Sequence, residues 1–180
     1  MPKRTSPYLT FTTAALASVV ALVFVAAGCS DGTTPDGDTC FDYSTFNAMS
    51  KTVSFQTDVL PIFRNSCGLS ASCHGVETGS VGKVYLGPPL ADGAATQAQI
   101  SAILTQIVGV ASSAAATMKI VEANTPAKSF LMHKMDNTLT CADVTCEAGC
   151  GTSMPQLSPI LGETERDTVR LWIAQGAKND

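Results

Sequence analysis

Cys67, Cys73 and His74 constrain this chain more than any other residues, because two thiols and an imidazole so close together have few possible roles. One role is a disulfide closing the hop between the two cysteines, which suits a chain sent to an oxidising compartment. The other is covalent haem. Two thiols form thioethers with the haem vinyl groups, and a histidine directly after the second lies under the iron as its proximal ligand. The usual motif is C-x-x-C-H, whereas here Gly68-Leu69-Ser70-Ala71-Ser72 separate the thiols. A longer bridge has to bulge outward, since the vinyl positions lie a fixed distance apart. Gly68 and the small Ser70, Ala71 and Ser72 make such a bulge sterically reasonable. A further arrangement attaches Cys73 alone and leaves Cys67 to pair elsewhere.

The compartment is written at the N-terminus. Lys3 and Arg4 precede Ala14 to Ala27, which is apolar apart from Ser18 and too short for a confident membrane span. The run ends in Val25-Ala26-Ala27-Gly28-Cys29, which resembles the bacterial lipoprotein signal, with Ala26 where leucine is more usual. The expectation is a signal peptide over 1–28, a lipidated Cys29 as the new N-terminus, a polar tether over 29–51, and a folded domain over 52–180. Ordinary cleavage leaving a free Cys29, or an uncleaved anchor, are the alternatives. Acyl chains on Cys29 would hold the protein at the cell envelope, on a membrane facing periplasm or exterior. Ser30 to Asp38 carries no apolar period, whereas Phe41, Tyr43 and Phe46 are candidates to begin packing on the domain.

A length of 180 residues allows one domain and a tail. A net charge of -4 with no cluster of Lys and Arg argues against nucleic acid, which needs its phosphates neutralised. No Ser-His-Asp set, phosphate-cradling glycine loop or carboxylate pair stands out, so hydrolytic catalysis has little support.

Apolar spacing predicts four helices. The first is expected near Asp58 to Ser66, with Asp58 as N-cap, Pro61 in the first turn, and Val59, Ile62 and Phe63 on one face. Thr96 to Val108 groups Ile100, Ile103, Leu104 and Ile107. Pro126 to Met135 groups Phe130, Leu131 and Lys134. Glu163 to Gln175 carries the stripe Val169, Trp172, Ile173 and stops at Gly176. The segments 75–92 and 136–159 read as loops, with only a turn signal at Gly87-Pro88-Pro89. No alternating strand pattern or internal repeat is visible. The expected class is all-α, a small helical domain with long loops.

VSFQTDVLPIF before the first cysteine, Cys73-His74, SFLMHKM, CGTSMPQ over 150–156 and VRLWIAQGAKND at the end together resemble a class I c-type cytochrome. The resemblance covers roughly Val53 to Asp180. It implies a first helix crossing the last, with Ile62 and Phe63 against Val169 and Trp172. It also implies a haem c with Cys67 and Cys73 as thioether anchors, His74 as proximal and Met154 of Met154-Pro155 as distal iron ligand. The implied function is one-electron transfer with redox partner proteins at the envelope. Filled axial positions suit a carrier better than an oxygen-activating enzyme. An open sixth site able to bind small gases or peroxide is a further possibility.

The remaining candidates each have a plainer role. His133 is either a second distal candidate or a polar helix residue. Met118, Met132 and Met135 suit packing. Cys40, Cys141, Cys146 and Cys150 form an even set for disulfides of unknown connectivity, or less readily a zinc site. The competing class is a haem-free, disulfide-stapled envelope module serving in binding or structure.

Overall fold

The computed structural model describes residues 40–180; the targeting segment, Cys29 and the tether through Thr39 lie outside the described residues. The described chain is all-α. Its α-helices are α1 (Leu60–Ser66), α2 (Gln97–Ile107), α3 (Phe130–Asp136) and α4 (Glu163–Ala174), with short 3-10 turns between. Only isolated bridges near 108–129 pair extended backbone, so no strand forms among the described residues. No helix there is long and apolar enough to cross a membrane.

The first helical stretch begins earlier than the apolar spacing implies, as a π-helical turn over Phe55–Val59 that runs into α1. Ser54, not Asp58, is its N-cap. The Ser54 hydroxyl accepts from the Thr57 amide, and Asp58 Oδ2 accepts from the Ser54 amide at 2.8 Å. One extra residue per turn stretches the reciprocal cap from the usual three-residue spacing to four. The turn is held by distant chain: Ser54 Oγ donates to the Asp180 carbonyl at 2.7 Å, and the Phe55 amide donates to Asp180 Oδ1 at 2.9 Å.

α2 has a full capping box. Thr96 Oγ1 accepts from the Gln99 amide and Gln99 Oε1 accepts from the Thr96 amide. α4 starts with Glu163 and Glu165, favourable at a positive helix end, and Glu165 accepts from the Gly162 amide. It ends in a Schellman motif: Gly176 takes φ 103°, its amide bonds to the Ile173 carbonyl, and that of Ala177 to Trp172. The expected third helix divides, with a 3-10 turn over Pro126–Lys128 before α3.

The main core joins Phe55, Val59 and Phe63 to Ile103, Ile107, Met132, Val169, Trp172 and Ile173, all essentially inaccessible. Phe63 meets Trp172 edge-on at 6.2 Å, the contact expected of the first and last helices, and Phe55 lies closer still, at 5.1 Å. Burying a side chain of this size contributes about 1.5–3 kcal/mol, so this aromatic triad anchors the helix packing. A smaller cluster of Ala115, Met118 and Phe130 underlies the 139–150 loop.

The packed unit takes in the chain from Cys40, ahead of the expected boundary at 52. Cys40 is bonded to Cys141 across 101 positions, and Phe41 stacks on the Arg170 guanidinium at 3.6 Å, with Tyr43 and Phe46 flanking it. Beneath the aromatics, Arg170 and Arg166 both donate to the buried carboxylate of Asp136, tying the end of α3 to α4. Arg170 also pairs with Asp167, and its Nε has no hydrogen-bond partner.

Candidate haem-attachment site

α1 ends at Cys67, whose amide donates to the Phe63 carbonyl. The chain then folds back on itself, because the Cys73 and Gly75 amides both bond to the Ser70 carbonyl and the His74 amide bonds to the Cys67 carbonyl at 3.1 Å. The long spacing between the cysteines is thus taken up in a closed loop that returns His74 to the end of α1. Close backbone contact requires the glycines that flank it. A Cβ on Gly68 would lie 2.4 Å from the Gly87 carbonyl oxygen, and one on Gly75 would lie 2.7 Å from that of Ser70.

Both thiols of this loop are free, whereas the other described cysteines are paired as Cys40–Cys141 and Cys146–Cys150. Cys67 is buried, and burial, reinforced by the nearby Cys73 and Glu165, pushes its thiol up to about 12. Cys73 is half-buried and receives a hydrogen bond from Ser70 Oγ at 3.5 Å.

His74 Nδ1 lies 2.9 Å from the Val84 carbonyl oxygen. A carbonyl only accepts, so Nδ1 carries the proton, and in the neutral ring Nε2 keeps its lone pair. Burial lowers the pKa of His74 and favours that neutral form; the Lys134 charge acts in the same direction, while the Val84 bond opposes it. An imidazole oriented through one nitrogen by a carbonyl, with the other nitrogen basic, is the arrangement of a metal-ligating histidine. The Val84 partner has no local sequence signal. It reaches His74 because the Leu86 amide bonds to the His74 carbonyl, laying 84–86 alongside.

The 84–93 segment is itself fixed by Arg64, a residue the apolar spacing of α1 does not single out. Its buried guanidinium donates to the carbonyls of Pro88, Pro89 and Gly93. The Gly87-Pro88-Pro89 turn signal was legible, but its orphan carbonyls needed a donor from another element.

Met154 is half-buried in the loop before α4, and its amide donates to the Lys134 carbonyl at 2.8 Å. Lys134 therefore links the two candidate ligands: its backbone holds Met154 and its charge is felt at His74. His133 is placed differently. Nδ1 is 2.9 Å from Thr138 Oγ1, just past the end of α3, and Nε2 is 3.1 Å from the Ala127 carbonyl, in the turn before it, so both ring nitrogens are engaged. Cys40, Cys141, Cys146 and Cys150, the sulfurs considered for zinc, are consumed in bridges. Among the described residues no group of three or more His, Cys, Asp or Glu side chains could hold a metal ion.

No protein-family model matches the chain, and neither a curated protein nor a solved structure matches it.

Proposed function

We propose that the chain is an envelope lipoprotein whose domain carries one c-type haem and transfers single electrons. One observation carries the reading. The thiols of Cys67 and Cys73 stay unpaired while the other described cysteines are bridged, around a histidine whose Nδ1 is held by a carbonyl and whose Nε2 is left basic.

The residues fit a haem c by chemistry. When bound, haem would supply the Fe(III)/Fe(II) couple. Cys67 and Cys73 would anchor it as thioethers, His74 would ligate through Nε2, and Val84 would keep that ring in its ligating tautomer. Met154 would be the second protein ligand, since His133 has no free nitrogen and a neutral thioether favours Fe(II). Lipidation of Cys29 would keep the domain at the membrane, within reach of redox partner proteins. With His74 and Met154 both holding the iron, the haem would serve as an electron carrier.

The test is production of the full chain in a host able to attach haem. The expected product shows a Soret band that survives denaturation, because thioethers do not dissociate. Met154→Ala is expected to keep that covalent haem and lose the far-red Met–iron charge-transfer band; an unaltered band would remove Met154 from the ligand set. Colourless protein with both thiols recovered would overturn the proposal and leave a haem-free scaffold stapled by its two bridges.

A further inference from the structure

α3 is only seven residues long, and its last carbonyls need donors from elsewhere. Asn137 in the left-handed region turns the chain so that the Thr138 amide bonds back to His133. The Lys134 carbonyl is left without a helical donor, and the Met154 amide fills that place at 2.8 Å. The Lys134 side chain grips the same loop. Its ammonium donates to the carbonyls of Cys150 and Thr152, while lying 5.4 Å from the centroid of the Phe130 ring. Gly151 between them takes φ +70°, and a Cβ there would come within 3.2 Å of the ammonium.

One residue thus holds the 150–154 loop at three points, twice by charge-assisted hydrogen bonds and once through its backbone. The nearby Cys146–Cys150 bridge closes only its own short loop and makes no covalent link to α3. Without the ammonium, two carbonyls lose their donor and the Met154 amide bond is the only remaining hydrogen bond from Lys134 to the loop. We propose that Lys134 is the positioning residue for Met154, fixing the loop so that the thioether is presented towards His74. This rests on the carrier reading above.

The sequence alone groups Lys134 with Phe130 and Leu131 at helical spacing and gives no sign of its partners. The ammonium is committed to another segment's backbone. Lysine suits the task because one ammonium can serve several acceptors on a stem that packs along apolar surface.

The experiment compares haem-loaded full-length wild type with Lys134→Met and Lys134→Arg. Methionine keeps the apolar stem and removes the donors; arginine restores donors. In Lys134→Met the charge-transfer band of Met ligation is expected to disappear or fall severalfold, at unchanged covalent haem per protein, and Lys134→Arg is expected to restore most of it. A band of wild-type strength in Lys134→Met overturns the proposal. Amide exchange at Met154 in the haem-free protein, monitored alongside circular dichroism, gives an independent readout. Exchange is expected to rise by about tenfold or more in Lys134→Met with helix content retained, as follows from losing hydrogen bonds to a charged group. Unchanged exchange overturns the hold itself, whereas a colourless wild type overturns the carrier reading and with it the ligand-positioning role.

Discussion

Replacing Asp136 by Ala is expected to lower the stability of the domain by about 3–5 kcal/mol, read as a fall in the denaturant midpoint. Asp136 is 2% exposed and accepts from Arg166 at 2.7 Å and from Arg170 at 2.7 and 2.8 Å. Removing the carboxylate leaves the two buried guanidinium groups of α4 without the partner they share on α3. Arg170 keeps Asp167 and the faces of Phe41, Tyr43 and Phe46, but Arg166 keeps only its bond to the Leu161 carbonyl. The size of the loss comes from stranded charge more than from the value of the pair. Replacing Asp136, Arg166 and Arg170 together by apolar residues of similar volume is therefore expected to cost much less than Asp136→Ala alone. Equal losses in the two variants would refute this account.

Alkaline pH gives the second large effect. The Cys67 thiol lies near 9.0 when exposed and is pushed up to about 12 in the fold. Above pH 9 the unfolded chain releases this proton while the folded chain retains it, so the unfolded state binds fewer protons and stability falls as pH rises. The contribution is intact below pH 9.0 and is lost progressively towards about 12. By pH 11 the loss from this one group is roughly 3 kcal/mol, taking about 1.4 kcal/mol for each pH unit. Denaturation of the haem-free protein at pH 8 and pH 11 measures it. Cys67→Ser should show a smaller alkaline loss by that amount, and parallel curves would refute the assignment. The same measurement bears on function. A thioether has no proton to release, so haem-loaded wild type should behave like Cys67→Ser.

Much of the helical framework was legible. The apolar stripes over 100–107 and 169–173 placed α2 and α4, and Thr96 and Gly176 marked ends that the structure closes with a capping box and a Schellman motif. The bonds that close these two ends are local, so sequence reports them. The start of the first helix was not legible, since Ser54 and Phe55 are fixed by Asp180, distant in the chain. The motif of Cys67, Cys73 and His74 announced itself by adjacency. The donors and acceptors packed around it did not, because Val84, Arg64 and Lys134 each act across a loop.

By itself the sequence determined which residue types could do chemistry here, and which stretches would coil into helices with one apolar face. Those are consequences of composition and of a short period. Tertiary structure alone decided which sulfurs bond, that Cys40 meets Cys141, and that His74 is held through Nδ1 by Val84 whereas His133 engages both ring nitrogens. It also decided that a surface-like lysine grips a distant loop. The physical reason is the same in each case: a buried polar group must find a partner, and only the folded chain determines which one is within reach.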